Sequence, residues 1–283
     1  MPRPLAGTPI EIPAVDWWIT SRCNLACDFC YGPLPRTDPV GLREAIFSAI
    51  TDCSAAVVTF CGGEPLLVRD IDRYAKTLAE MGKRTVLNTN GLLVRKRLAQ
   101  GLELAFSAVG LSIDGSTEAV HRAMRGPKAD LGEVLHAAEL VSQTPGTSLK
   151  IATVVSRVNQ YDLPSLARLV RRLEPDVWRL YQYSSRGDHN VGQQRHQLPE
   201  DRFLALVDEV GALVKPVPAA PSSEELTVGC LIVDPDGNVL EPTSMGYLCR
   251  GNCLTEPIDA IWAKIPSPTA IIENKRWLSM LSN

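Results

Sequence analysis

The sequence predicts an α/β fold, a partial (β/α)6 barrel with a small C-terminal extension. Three observations carry this reading. Six short runs rich in β-branched and aromatic residues recur between residues 15 and 183. Longer stretches between them place apolar residues at helical spacing, and Gly82, Gly101 and Pro175 punctuate their ends. Strands alternating with helices imply a parallel sheet with right-handed crossovers. Six units rather than eight suggest an open or partial barrel.

In chain order, VDWWIT (15–20) is the first strand and VGLREAIFSAITDC (40–53) the helix after it. AAVVTF (55–60) precedes DIDRYAKTLAEMG (70–82), and KRTVLNT (83–89) precedes LLVRKRLAQG (92–101). LAFSAVGLSI (104–113) leads to LGEVLHAAELVSQ (131–143), and SLKIATVV (148–155) to DLPSLARLVRRLE (162–174). DVWRLYQY (176–183) is the sixth strand, with RFLALVDEVGALV (202–214) as a further helix. KPVPAAPSSEE (215–225) reads as a linker, so the barrel spans 14–215 and the extension 226–283. CLIVDPDGNVLEP in the extension reads as a hairpin around a D-P-D-G turn, and a helical segment follows at IDAIWAKI.

A chain of 283 residues, 45% hydrophobic and 22% charged, can bury a substantial core. A net charge of −3 carries no basic field for a nucleic acid. No apolar run reaches transmembrane length, and the Pro-rich start lacks a signal core, so a cytoplasmic protein without a membrane partner is expected. Eight cysteines there point to metal ligation, chemistry or burial rather than disulfides.

TSRCNLACDFCYGP (20–33) crowds Cys23, Cys27 and Cys30 into a C-x3-C-x2-C spacing just after the first strand. Two thiols would suggest a redox pair, and four would close a zinc or iron–sulfur site. Three can hold one face of a cubane and leave one iron open to a ligand. Three buried cysteines, or a zinc site completed by His121 or His136, are the alternatives. The second strand runs directly into FCGGEPLL (60–67). Gly62 and Gly63 let the backbone approach a ligand closely, Glu64 offers a carboxylate to an ammonium group, and Pro65 sets the turn.

With these two motifs one βα unit apart, the first 215 residues resemble the radical S-adenosylmethionine (radical SAM) superfamily. The resemblance implies a [4Fe–4S] cluster on Cys23, Cys27 and Cys30, with the open iron chelated by the amino and carboxylate groups of S-adenosylmethionine (SAM). It places Tyr31 beside the adenine and Gly62, Gly63 and Glu64 around the SAM amino group. NTNG (88–91) and LSIDG (111–115) follow later strands. Ser112 and Asp114 resemble the polar pair that contacts the ribose or carboxylate, with Asn90 a neighbour. TVVSRVN (153–159) resembles the segment that supports the adenine. In HRAMRGP, Arg122 and Arg125 fit either a pair with the SAM carboxylate or a solvated helix end, and His121 stays outside the chemistry.

The extension resembles a degenerate auxiliary-cluster region of the SPASM or twitch type. Where that pattern has Pro-Cys, this chain reads Pro242–Thr243, leaving Cys230, Cys249 and Cys253, too few for a four-thiolate site. A reduced second cluster on three ligands stays open, but loss of the cluster is the favoured reading, and it frees a thiol to act as hydrogen donor. The length and tail resemble the aminoglycoside-tailoring branch of the superfamily. That implies epimerisation of a cationic aminosugar, with Cys249 best matching the donor position and a flavodoxin or ferredoxin supplying electrons. Cys61 and Cys53 read as core. Asp16, Asp188, Asp234 and Glu241 are candidate carboxylates for a polyamine by position alone, since acidic residues are usually solvated surface. The rivals are a dehydrogenase of an aminosugar or aminocyclitol using an auxiliary cluster, a peptide modifier, and a non-enzymatic metal protein. The second ranks lower for want of a leader-binding domain of about 80 residues, and the intact motifs oppose the third.

Overall fold

The computed structural model describes residues 12–32, 38–185, 190, 192–214, 231–243 and 246–265. The linker, Cys230 and Asp188 lie outside the described residues. The six expected strands are present: β1 (Val15–Thr20), β2 (Val57–Gly62), β3 (Arg84–Thr89), β4 (Ala108–Ser112), β5 (Ser148–Val155) and β6 (Val177–Gln182). Each pairs in parallel with its sequence neighbour. Between them lie α1 (Leu42–Asp52), α2 (Ile71–Glu80), α3 (Val94–Ala99), α4 (Glu118–Arg125), α5 (Leu131–Ser142) and α6 (Leu163–Leu173), and α7 (Glu200–Gly211) follows β6. A parallel pair cannot be joined by a tight turn, so each connection crosses over through a helix.

The extension adds β7 (Leu231–Val233), β8 (Asn238–Thr243), β9 (Gly246–Asn252) and α8 (Ile258–Trp262). β7 pairs in parallel with β1, and β8 and β9 continue antiparallel, giving one nine-stranded sheet ordered β6-β5-β4-β3-β2-β1-β7-β8-β9. Asp234 shapes the β7–β8 turn by accepting from the N–H groups of Asp236 and Asn238 at 2.9 and 2.8 Å.

Two elements escape the sequence pattern. α4 is short and strongly charged, and Thr117 caps it by accepting from the Val120 N–H. β9 is an edge strand whose Leu248 and Cys249 are exposed, so no apolar alternation marks it. The expected run at 104–113 is strand only from Ala108. Its ladder with β3 begins at Val86–Ala108, and the Thr85 N–H turns to the Ser107 hydroxyl instead.

Strand alternation sorts the two faces. Val15, Trp17, Phe60, Leu87, Trp178 and Val233 pack outward with the helices into one hydrophobic core, which also takes in Ile258, Ile261 and Trp262 of α8. Ala14, just before β1, forms a separate buried cluster with Val57, Val86 and Ala108 of β2, β3 and β4. The alternate residues of each strand line a cavity of about 290 Å³. Trp17 anchors the outer core, with ring centroids 5.9, 5.5 and 5.4 Å from Phe47, Phe60 and Tyr74. Trp17→Ala is expected to destabilise the protein by about 3–5 kcal/mol, read as a lower urea midpoint, and Trp17→Phe by clearly less.

Candidate functional site

The cavity opens at the C-terminal ends of the strands, where α/β barrels build their sites. Its first wall is the loop from Ser21 to Gly32. Asp38 pins the start of this loop, accepting from the Thr20 hydroxyl at 2.6 Å and the Ser21 N–H at 2.8 Å. Cys23, Cys27 and Cys30 all line the cavity. Backbone N–H groups already point at two of the sulfurs, Leu25 to Cys23 Sγ at 3.4 Å and Gly32 to Cys30 Sγ at 3.3 Å. Such N–H···S bonds stabilise thiolate ligands and tune an iron–sulfur cluster. Cys27 Sγ lies 3.5 Å from the carbonyl of Arg125. Burial pushes the Cys27 thiol up to about 12, opposed by the Arg125 charge. Leu25, Phe29, Met124 and Tyr183 complete an apolar packing around it.

These thiols fit a cubane held on one face. Among the described residues no three His, Cys, Asp or Glu side chains converge tightly enough for a single ion, and the corners of a four-iron cluster lie farther apart than the ligands of one ion. Neither histidine considered for zinc lines the cavity with the thiols. His121 is buried with its Nδ1 3.3 Å from the Asp114 N–H, and burial, with the Arg125 charge, pushes it down to about 4. His136 is half-exposed on α5 beside Glu139.

The glycine loop packs directly against the cysteine loop. Gly63 N–H donates to the Thr20 carbonyl at 2.7 Å and Glu64 N–H to that of Arg22 at 2.8 Å. A Cβ at Gly62, where φ is +115°, would stand 2.4 Å from the Thr20 oxygen, and one at Gly63 2.0 Å from that of Arg22. Only glycine permits this approach. Glu64 departs from its expected orientation. It is fully buried, and its carboxylate accepts from the Leu66 N–H at 3.0 Å, the Thr89 hydroxyl at 2.7 Å and the Asn90 N–H at 2.8 Å. Burial pushes its carboxyl up against the pull of those donors. It holds the loop to the end of β3, while Gly62 and Gly63 line the cavity.

Asn90 lines the cavity and donates to Asn24 Oδ1 at 2.7 Å, bridging to the cysteine loop. Ser112 lines it from the end of β4. Asp114, expected beside Ser112, lies behind the wall with no exposure. Its carboxylate meets Arg125 Nε at 2.5 Å and the Val154 N–H at 2.7 Å. Asn159 in the expected support segment donates to the backbone carbonyls of Asp114 and Val154 at 2.9 and 2.8 Å. Arg125 is therefore an internal cation on the cavity wall, its guanidinium 5.5 Å over the Phe29 ring, rather than a solvated helix end. Arg122 pairs with Glu118 on the exposed side of α4. Tyr31, 52% exposed, stands at the cavity wall, and its carbonyl accepts from the Tyr247 hydroxyl at 3.2 Å.

Other lining residues were not read from the sequence: Trp18, Lys150, Arg179, Tyr181, Tyr183 and Tyr247. Lys150 Nζ lies 3.3 Å from Asn88 Oδ1 across Gly110, where a Cβ would stand 2.4 Å from that oxygen. Cys61, read as core, also lines the cavity. The signal was present in the strand period, because Trp18, Cys61, Lys150, Arg179 and Tyr181 each sit two positions from another inward strand residue. Of the carboxylates considered, Asp16 lines the cavity, Glu241 pairs with Arg250 at 2.5 Å, and Asp234 serves its turn. Cys253 is buried in the core, where burial pushes it up to about 11. Cys249 is exposed on β9.

A barrel whose strand ends carry an open three-thiol loop and a backbone cradle beside it defines an enzyme built around an iron–sulfur cluster and a bound cosubstrate. The chain belongs to the radical SAM superfamily, whose model matches residues 18–170, more than half of the sequence. Its cofactors are accordingly a [4Fe–4S] cluster and SAM. It is similar to a pre-heme d1 synthase from Dinoroseobacter shibae, 30% identical over 73% of this chain and 52% of that one. It is also similar to an S-adenosylmethionine-dependent nucleotide dehydratase from Selenomonas ruminantium, 24% identical over 88% of this chain and 93% of that one. The chain spans about half the length of several other curated relatives it matches. Among solved structures, Streptococcus suis SuiB bound to S-adenosylmethionine shares the fold, with a TM-score of 0.68 at 15% identity over 92% of this chain and 68% of that one. So does anSMEcpe with bound AdoMet, at 0.64 and 20% over 92% and 82%. Among the described residues no helix is long and apolar enough to cross a membrane.

Replacing Cys23, Cys27 and Cys30 together with Ala is expected to remove the iron and abolish SAM cleavage, followed by iron content and 5′-deoxyadenosine formation under anaerobic conditions. Arg125→Met, which leaves Asp114 as a buried charge without its cation, is expected to cost about 3–5 kcal/mol in denaturant unfolding. Adding Asp114→Asn should recover part of that loss.

Proposed function

We propose that the protein is a radical SAM epimerase that inverts one C–H stereocentre of an aminoglycoside sugar, of the neomycin C to neomycin B type. One observation carries the reading. The sheet register aligns Asp16, Ile232, Leu240 and Cys249 in a single row across β1, β7, β8 and β9. Side chains directly opposite one another share a face, and Asp16 and Ile232 line the cavity. Cys249 therefore stands on the cavity-facing side of the hairpin at its exposed edge.

Cys23, Cys27 and Cys30 would hold the cluster, and Gly62, Gly63, Asn90 and Ser112 would receive SAM along the cavity wall, backed by Glu64 and Asp114. When bound, these groups supply one-electron cleavage of SAM and removal of a hydrogen atom from the substrate carbon. Cys249 would return a hydrogen atom from its S–H to the other face of that carbon. The sulfur left behind must gain one electron and one proton before the next turnover, and exposure suits a group that must be reset. A flavodoxin or ferredoxin is the proposed electron source. Burial of Cys253 in the core supports an extension without a second cluster, since a ligand must reach its iron. Asp16 offers a carboxylate to an ammonium group of the sugar.

A second reading has its own observation. Lys150 and Arg179 bring two buried cations to the same cavity, which suits an anionic substrate such as the nucleotide named for the Selenomonas relative. Substrate-dependent 5′-deoxyadenosine formation with an aminoglycoside panel and a nucleotide panel separates the two.

Cys249→Ala is expected to keep SAM binding and hydrogen abstraction while product falls by about a hundredfold or more. In deuterated water the wild type should place one deuterium at the inverted carbon. Unchanged epimerisation in Cys249→Ala would refute the donor role and turn attention to Cys61, a thiol on the cavity wall outside the cluster loop. About four irons per chain, rather than about eight, is expected of a single cluster.

A further inference from the structure

The cysteine loop is held from a side that neither the cluster motif nor the SAM contacts explain. Between Cys27 and Cys30 lie Asp28 and Phe29, and both are gripped by the segment after β6. His196 Nε2 lies 2.9 Å from Asp28 Oδ1. A carboxylate only accepts, so this nitrogen carries the hydrogen and donates. His196 Nδ1 lies 3.3 Å from the Ser156 hydroxyl at the end of β5. The ring has no exposure and packs against Phe29 and Tyr183, with centroids 5.6 and 5.4 Å away. Arg195 pairs with the second oxygen of Asp28. Six residues earlier, the fully buried Asn190 donates from Nδ2 to the Phe29 carbonyl at 3.1 Å and to that of Ser184 at 3.2 Å, and accepts from the Tyr183 hydroxyl at 2.9 Å.

The hydrogen bonds from His196, Arg195 and Asn190 to Asp28 and Phe29 join residues more than 160 positions apart in sequence, and they end on the two residues between a pair of cluster cysteines. We propose that His196, together with Asn190, is a positioning residue for the iron–sulfur cluster, a latch that holds Asp28 and Phe29 so that Cys27 and Cys30 keep one orientation toward the iron. The reasons are physical. The loop is short, so a displacement of Asp28 moves a ligand on either side of it. His196 cannot turn away, because both ring nitrogens are engaged and the buried ring packs against Phe29 and Tyr183. Partners behind a metal ligand fix its orientation and contribute about ten- to a hundredfold in metal affinity when they do so. Tyr183 and Ser184 also line the cavity, so the latch spans from the substrate wall to the cluster loop.

The test uses the full chain, loaded with iron and sulfide anaerobically, with His196 changed to Ala, Gln and Phe. Gln retains a side-chain N–H for Asp28 but no ring, whereas Phe retains the packing but no N–H. His196→Ala and His196→Phe are expected to lose iron to a chelator about tenfold faster than wild type or more. Both should also show an altered electron paramagnetic resonance spectrum of the reduced cluster, with and without SAM. His196→Gln should restore both readings toward wild type. If His196→Phe matches wild type in iron loss and spectrum, the residue merely fills space and the proposal fails. Should the His196 variants not fold, Asp28→Ala on the partly exposed loop is expected to show the same spectral change. A wild-type spectrum there overturns the proposal equally.

Discussion

The pair formed by Asp114 and Arg125 is the contact on which the rest of the site depends. Asp114 has no exposure and its partner's side chain only 11%, so both charges have left water, and each is tolerable only because the other is there. The pair joins three elements. Asp114 follows β4, its other oxygen takes a β5 N–H, and Arg125 ends α4. The carbonyl of Arg125 then reaches Cys27, and its guanidinium covers Phe29. A loop that must carry a cofactor is thereby registered to two strands of the sheet through one residue. The cation also stands near thiols that become thiolates on binding iron, so the charge that stabilises the fold suits the loaded site as well.

Glu64 acts in the same manner on the opposite wall. Two of its three accepted hydrogen bonds tie the glycine loop to the end of β3 and the third closes the turn at Leu66. Together they explain why a conspicuous carboxylate in a binding motif can be wholly internal. Two acids that look like ligand contacts in sequence, Glu64 and Asp114, both hold the framework. The groups offered to the cavity beside them are glycine backbone, an amide and a hydroxyl.

Much of the fold was legible because parallel strands buried on both faces read as dense apolar runs and their helices as amphipathic stretches. The six strands and the cysteine and glycine loops at their C-terminal ends lie where pattern and spacing put them. What could not be read follows from the same physics. β9 is an edge with one wet face and gives no apolar period, and α4 is too charged to resemble a core helix. Cys61 sits in VVTFCG, where an apolar run hides which residue faces inward. Lys150 and Arg179 look like surface charges in sequence, and only the curvature of the sheet turns them into a cavity wall. His196 carries no local signal, since its partners are far away along the chain.

The sheet order ends at β6 on one side and β9 on the other, and among the described residues these two strands do not pair. A cavity of about 290 Å³ sits at the lower end of the range for small-molecule pockets, and in a closed barrel it would limit the whole substrate to that size. Where the described strands leave the wall open, that limit does not apply. Such an opening leaves room for a molecule of several rings to insert one of them and keep the others outside.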